Sequence, residues 1–310
     1  MGISAALCIT DRQKGLLIYR PTGNKSAILY NVPMRILLTN DDGVYAPGLA
    51  AMERALRRLG EVFVLAPLHE QSGVAHAMTF LTPLQVRKVY VNDKPWAWTV
   101  DGTPADCVKL AISEVMSEPP DLVVSGINGG LNAGVNVFYS GTLAAAIEGS
   151  FYGSTSIAVS LQYDESERYH QAADLAVGVI EKILKQNSTS GRLYNVNIPQ
   201  KALRNESPEV KVVPVDRSQH WETFERRIDP VGRNYYWLTW HPEPRSPDDT
   251  QMTDLTALAQ GYITVTPLDC DPTDKQGVQE MADWDLNPKP SGAAHDAEQT
   301  GPQVRVSWRV

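Results

Sequence analysis

The chain has 310 residues, 43% of them hydrophobic and 21% charged, which is typical of a globular protein with one large core or a core plus a subdomain. A net charge of -8 argues against broad contact with nucleic-acid polymers, and no apolar run is long enough for a membrane helix. The sequence shows no secretory signal pattern, and its three distant cysteines support no disulfide framework, so we expect a cytoplasmic protein with no membrane partner.

The predicted elements alternate between strand and helix after a weakly patterned start. Residues 1–33 carry two candidate short strands, at 15–19 and 27–32, and we interpret this segment as an amino-terminal extension of unknown role. Further strands are predicted at 36–39, 62–66, 121–125, 156–161 and 193–198, and helices at 47–59, 103–115, 140–149 and 168–185. An extended stretch at 79–100 is predicted as a β-hairpin excursion. This alternation predicts an α/β fold with a doubly wound, mostly parallel sheet.

The carboxyl-terminal part is richer in β-branched and aromatic residues. Strands are predicted at 210–215, 235–240 and 262–268, and a short helix at 254–260. After Gly277 the residues are polar, and we expect a poorly ordered tail with a short strand at 304–310. The sequence therefore predicts one α/β domain over residues 34–275, followed by a tail over 276–310.

Polar side chains with oxygen atoms follow three of the predicted strands. Asp41 and Asp42 come directly after the first clear strand, Ser72 follows the second, and Asn128 follows the strand at 121–125. Because the carboxyl ends of parallel strands meet at one edge of the sheet, we expect these side chains to converge. Carboxylate, hydroxyl and amide oxygens suit a hard divalent cation, Mg²⁺ or Mn²⁺, better than zinc. The structural alternative is that residues 40–43 form only an ordinary turn, which this segment alone does not exclude.

A second group of candidates has donors suited to an anion such as phosphate. Asn132 lies in a glycine-rich loop, and Ser140, Gly141 and Thr142 begin a predicted helix, where free main-chain N–H groups and the helix dipole both favour an anion. The alternative for Ser140 is an ordinary helix cap.

Four further side chains remain open to either a functional or a structural interpretation. Asn40, beside the two carboxylates, and His76, which follows the Ser72 loop and could contact a leaving group, are candidates of second rank. His220 and Trp221 are either a surface feature or part of a wall that stacks on a base.

Five segments, taken in order, closely resemble the SurE family of 5′/3′-nucleotidases. These segments are 36–48, 66–73, 102–108, 123–132 and 139–149. The resemblance extends over about residues 34 to 268. It implies a Rossmann-like α/β core with a carboxyl-terminal arm, a homodimer or homotetramer, and one Mg²⁺ or Mn²⁺ per subunit. By position, it places the metal ligands and the phosphate-binding groups on the residues already named for those two roles.

The residues predict metal-and-phosphate chemistry, and the resemblance implies that the reaction is metal-dependent hydrolysis of nucleoside 5′- and 3′-monophosphates. A metal-activated water would attack phosphorus in line, with the catalytic carboxylate of Asp41 or Asp42 orienting or deprotonating it. One alternative is a dinucleotide-dependent oxidoreductase, which the glycine-rich loop at 126–134 suggests, although no G-x-G-x-x-G pattern follows the first strand. A non-catalytic nucleotide-binding protein is the other alternative.

Overall fold

The structure is a computed structural model that describes residues 7–11, 16–20, 28–31, 33–164, 168–186, 191–218, 222–240 and 252–287. The chain divides into two compact units, residues 1–270 and 271–310. The strands are β1 Leu7–Asp11, β2 Leu16–Arg20, β3 Ile28–Asn31, β4 Met34–Thr39, β5 Gly60–Pro67, β6 Val86–Val91, β7 Lys94–Val100, β8 Leu122–Gly129, β9 Thr155–Leu161, β10 Leu193–Ile198, β11 Val210–Val212, β12 Glu222–Ile228, β13 Asn234–Trp240 and β14 Ile263–Leu268. The α-helices are α1 Pro47–Leu56, α2 Pro104–Leu110, α3 Gly141–Phe151, α4 Tyr169–Gln186, α5 Asp254–Gln260 and α6 Lys275–Met281.

The central sheet has the strand order β11-β14-β10-β9-β8-β4-β5-β7-β6. The six central strands, β10-β9-β8-β4-β5-β7, are each parallel to the next in this order. At the two ends of this group, β14 is antiparallel to β10 and β6 is antiparallel to β7. The predicted doubly wound, mostly parallel α/β sheet is therefore confirmed, and β6 and β7 form the predicted hairpin excursion. The remaining strands form a three-stranded sheet, β1-β2-β3, and a two-stranded sheet, β12-β13.

Alternate residues of β4 serve two hydrophobic cores, one on each face of the sheet. Ile36 and Leu38 belong to the core that α1 and α4 cover, and Leu37 belongs to the core that α2 and α3 cover. All three side chains are fully buried. A strand buried on both faces reads as a continuous apolar run, which is why β4 was recognisable from sequence.

The start of α1 lies directly against the end of β8. A Cβ atom at Gly48 would lie 2.1 Å from the carbonyl oxygen of Ile127, so glycine is required for this close approach. The helix ends at Leu56, not at Leu59 as the spacing predicted, because β5 already begins at Gly60 and the chain needs a turn between them. This packing fixes the segment between β4 and α1, which carries Asp41 and Asp42.

Three features of the carboxyl-terminal part differ from the sequence predictions or lie beyond them. Strand β12 was not predicted, and α6 extends to Met281, where a polar tail was expected. The Asp274 side chain caps α6 by accepting hydrogen bonds from the main-chain N–H groups of Gln276 and Gly277. The strand predicted at 304–310 lies outside the described residues. Among the described helices, none combines the length and the apolar character needed to cross a membrane.

Candidate active site

The candidate site lies where the strand order of the central sheet changes direction. Strand β4 lies between β5 and β8, so the loops that follow these three strands leave from the same edge. A cavity of about 260 Å³ opens there. It is lined by Asp41, Asp42, Glu70, Ser72, Gly73, Asn128, Gly129, Leu131, Asn132, Asn136, Tyr139 and Ser140.

The cavity holds three carboxylates and, among the described residues that line it, no positive side chain. Asp41, Asp42 and Glu70 all line it, and its lining, as far as the chain is described, includes no Lys, Arg or His. Burial raises the pKa of Asp41. Burial and then the charge of Asp41 raise the pKa of Asp42 to about 6. Concentrated negative charge in a partly buried cavity is costly by itself, and a bound cation offsets this cost.

The segment between β4 and α1 is a turn that also fixes both carboxylates. The buried side chain of Asn40 donates from Nδ2 to the carbonyl oxygen of Gly43 at 2.9 Å, and Gly43 adopts a φ of +95° that favours glycine. Oδ2 of Asp42 accepts from the N–H of Gly129 on β8 at 3.1 Å. The turn and the ligand interpretations of residues 40–43 are thus compatible. Asn40 shapes the turn and is absent from the cavity lining given above.

Ser72 and Asn128 add neutral oxygen atoms to the same cavity. The hydroxyl of Ser72 donates to Oε1 of Glu70 at 2.6 Å. Asn128 donates from Nδ2 to the carbonyl oxygen of Gly130 at 2.7 Å, which leaves its Oδ1 as the side-chain acceptor. In the described part of the chain, no three His, Cys, Asp or Glu side chains converge on a metal-sized site. The oxygen-only set of two aspartates, a hydroxyl and an amide nevertheless fits a hard divalent cation.

The amino-terminal end of α3 lies against Asp41. Ser140 caps this helix by accepting from the N–H of Leu143 at 3.1 Å, and it also lines the cavity. A Cβ atom at Gly141 would lie 3.0 Å from Cβ of Asp41 and 3.2 Å from the carbonyl oxygen of Gln71. The cap and anion-site interpretations of Ser140 are therefore compatible, because the capped helix end faces the carboxylate site.

Two of the predicted phosphate ligands have their side-chain donors engaged with protein atoms. Thr142 is fully buried and donates from Oγ1 to Oδ1 of Asp41 at 2.6 Å. Asn132 lines the cavity, but its Nδ2 donates to Oγ1 of Thr142 at 3.2 Å and to Oγ of Ser160 at 2.9 Å. Gly141 and Thr142 are not among the residues that line the cavity.

His76 contacts a buried carboxylate on α3 and is not among the cavity-lining residues. Its Nε2 lies 2.9 Å from Oε2 of Glu148, and Nζ of Lys109 lies 2.7 Å from Oε1 of the same side chain. The imidazole also stacks on Phe151, with ring centroids 6.0 Å apart. Burial raises the pKa of Glu148, but the hydrogen bonds from His76 and Lys109 outweigh it and leave the pKa below its ordinary value. This geometry supports the structural interpretation of His76.

The ion pairs of Glu148 predict a pH-dependent contribution to stability. We expect Glu148→Gln to lower the free energy of unfolding by about 2 kcal/mol at pH 7. Because the folded-state pKa is lowered, this difference should be fully present above about pH 4.5 and should shrink as the pH falls further. Urea unfolding at pH 7 and pH 3.5 measures both values. Glu181→Gln, which alters a more exposed pair with Arg58, is the matched control and should change stability by less than about 0.5 kcal/mol.

Some residues that line the cavity were not predicted from the sequence. Glu70 lies two residues before Ser72 in a loop that follows a strand, and this position could have indicated that Glu70 lines the site. Asn136 and Tyr139 lie between two groups of predicted ligands, but no residue pattern indicated that their side chains would face the cavity. His220 and Trp221 lie outside the described residues.

Comparisons with known proteins agree on one family. A family model described as Survival protein SurE matches residues 36–222. A 5′-nucleotidase SurE from Rhodopirellula baltica is 52% identical over 256 residues, which cover 82% of this chain and 100% of the relative. A 5′-nucleotidase SurE from Heliobacterium modesticaldum is 42% identical over 252 residues, 81% of this chain and 92% of the relative. The crystal structure of the SurE protein from Aquifex aeolicus is similar with a TM-score of 0.68 and 37% identity, covering 80% of this chain and 100% of that one.

Proposed function

The chain belongs to the SurE family and is a 5′-nucleotidase, and we propose that it hydrolyses both 5′- and 3′-monophosphates of nucleosides with one Mg²⁺ or Mn²⁺ per subunit. The observation that carries the metal proposal is the cavity itself, which three carboxylates line and whose described lining includes no basic side chain. Asp41, Asp42, Ser72 and Asn128 would hold the cation. When bound, it would offset the carboxylate and phosphate charges and acidify a water molecule.

Asp42 is the candidate that orients or deprotonates the attacking water. Its Oδ2 is fixed by the N–H of Gly129, which leaves Oδ1 available to the cavity. Asp41 is held more rigidly, because the residue is 4% exposed and its carboxylate accepts a hydrogen bond from the hydroxyl of Thr142. The two neighbouring carboxylates are therefore restrained to different degrees, and we assign proton transfer to Asp42, whose carboxylate is the less restrained.

Phosphoryl oxygens are proposed to bind at the start of α3. Ser140 lines the cavity there, and Gly141 follows it in the first turn, where main-chain N–H groups lack partners inside the helix. These donors and the helix dipole would stabilise negative charge on the phosphoryl group as the bond to the leaving oxygen breaks. Asn132 and Thr142 were predicted for the same role, but their side-chain donors form hydrogen bonds to protein atoms instead.

Release of inorganic phosphate tests this function. We expect release from 5′-AMP, 3′-AMP and GMP with Mg²⁺ or Mn²⁺, loss of release with a chelator, and recovery when the metal is returned in excess. In ¹⁸O-labelled water, the phosphate should carry the label if water attacks phosphorus directly. Absence of release under any metal, together with NAD(H) binding, would support an oxidoreductase instead. Tight nucleotide binding without release would support a non-catalytic binding protein.

We also propose that the active form is a homodimer or homotetramer. The support is the two-stranded sheet β12-β13, which exposes large apolar side chains: Phe224, Ile228, Tyr235, Tyr236, Trp237 and Leu238. Apolar patches of this kind commonly mark protein interfaces. Light scattering on the purified protein should give two or four times the 34.2 kDa chain mass, and a 34.2 kDa species would contradict the proposal.

A further inference from the structure

A hydrogen-bonded chain runs from the central sheet to Asp41 through buried polar side chains. Thr142 is fully buried, and Asp41 and Asn132 are 4% and 8% exposed. The links are Nδ2 of Asn132 to Oγ1 of Thr142 at 3.2 Å and Oγ1 of Thr142 to Oδ1 of Asp41 at 2.6 Å. A buried polar group without a hydrogen-bond partner is energetically costly, so this series of hydrogen bonds stays in place once it has formed.

The direction of each hydrogen bond in this chain follows from the chemistry of its ends. Ionised Asp41 can only accept, so the single proton of the Thr142 hydroxyl points toward the carboxylate. The hydroxyl oxygen must then accept from Asn132, which assigns the amide nitrogen of Asn132 to that side. The second N–H of the same amide donates to Ser160. Neither side chain therefore has a donor left for a phosphoryl oxygen.

The main chain of Asn132 is also held from two sides. Its N–H donates to Oδ1 of Asn197 at 2.9 Å, and its carbonyl oxygen accepts from Nδ2 of Asn195 at 2.7 Å and from Nδ2 of Asn197 at 3.0 Å. Asn195 and Asn197 are fully buried on β10. The central sheet thus fixes the position of Asn132 independently of any ligand.

We propose that Thr142 is a positioning residue for Asp41, with Asn132 as its support, and that neither side chain binds phosphate. The Thr142 hydroxyl holds Oδ1 of Asp41, so that the carboxylate keeps one orientation at the cavity. This inference rests on the proposed function, because it assigns Asp41 as a metal ligand. Fixing a ligand from behind stabilises metal binding, and loss of such a contact typically costs about 10- to 100-fold in metal affinity or activity.

Titration of the substrate-free protein with Mn²⁺ alone tests the inference. Thr142→Val keeps the side-chain shape and removes the hydroxyl, and we expect it to weaken Mn²⁺ binding and to lower kcat, each about 10-fold or more. The KM for AMP should change less than about threefold, because phosphate contacts are kept. Thr142→Ser restores the hydroxyl and should bind Mn²⁺ nearly as the wild type does. Thr155→Val is the matched control, since Thr155 is a buried threonine whose Oγ1 has no partner among the described residues.

The outcomes separate this inference from the function on which it rests. If wild-type protein neither binds Mn²⁺ nor releases phosphate, the proposed function fails and the inference with it. If the wild type does both and Thr142→Val binds Mn²⁺ equally well but has a raised KM for AMP, Thr142 contacts phosphate and the inference alone is overturned. Thermal unfolding in chelator shows whether Thr142→Val folds. If it does not, Thr142→Ala, with less steric demand, replaces it and must show the same weaker Mn²⁺ binding.

Discussion

Asp42→Asn is expected to lower kcat for AMP by at least about 10³-fold, equivalent to about 4 kcal/mol of transition-state stabilisation. The substitution keeps the size of the side chain and an acceptor for the N–H of Gly129, but removes the charge that we assign to metal binding and proton transfer. Steady-state phosphate release at saturating Mg²⁺ measures the loss. Full Mg²⁺-dependent activity in the variant would remove Asp42 from the site.

The same substitution should make the metal-free protein more stable. Burial and Asp41 raise the pKa of Asp42 to about 6, so the folded state opposes its ionisation. The loss of stability from ionising Asp42 is absent at a pH where its carboxyl is protonated in both the folded and the unfolded protein. The loss grows between about pH 4 and pH 6 and is complete above that range. In chelator at pH 7.5, we expect the free energy of unfolding of Asp42→Asn to be about 1 to 2 kcal/mol higher than that of the wild type. Asp174→Asn, which alters an exposed carboxylate on α4, should change neither stability nor kcat appreciably.

Gly141→Ala is the second substitution for which we expect a large loss, of about 100-fold in kcat. The added Cβ would lie 3.0 Å from Cβ of Asp41 and 3.1 Å from its Oδ2, so the helix start and the carboxylate would have to separate by a few tenths of an ångström. That shift acts on the metal ligand and on the proposed phosphate site together. Phosphate-release kinetics and Mn²⁺ affinity measure the two effects.

Gly178→Ala on α4 is the matched control for this substitution. Apart from its chain neighbours and its own helix backbone, no heavy atom of the described residues lies within 4 Å of a Cβ added at Gly178, so the substitution causes no steric clash there. Alanine favours a helix interior over glycine by about 1 kcal/mol, so this variant should be slightly more stable, with unchanged kcat. Equal activity of the two alanine variants would show that the close contact between α3 and Asp41 has no catalytic role.

The fold was predictable wherever burial left a pattern in the sequence. Strand β4 reads as an apolar run because both of its faces are covered, and α4 shows the spacing of a helix with one buried face. Strand β12 was missed because it is rich in charged residues such as Glu225 and Arg226 and is stabilised by its pairing with β13. The described side chains of β12, at 223–228, are all exposed, so the strand leaves no apolar alternation to recognise.

The candidate site was predictable in its location and less so in its connections. Asp41 and Ser72 follow neighbouring strands, so the parallel topology alone indicated that they meet. The sequence could not show that Thr142 contacts Asp41 and not a ligand. A helix start that binds an anion and a helix start that packs against a protein carboxylate have the same residue types. The contact between His76 and Glu148 spans 72 residues, so it depends on tertiary packing that no local residue pattern indicates.

Titration of metal-free protein with Mn²⁺, followed by calorimetry or by electron paramagnetic resonance, tests the central claim most directly. The wild type should bind one ion per chain in the absence of nucleotide, and Asp42→Asn should lose this binding, while the exposed-site variant Asp174→Asn keeps it. Absence of stoichiometric binding to the wild type, or equal affinity in the Asp42→Asn variant, would contradict the assignment of the cavity at the end of β4 as a divalent metal site.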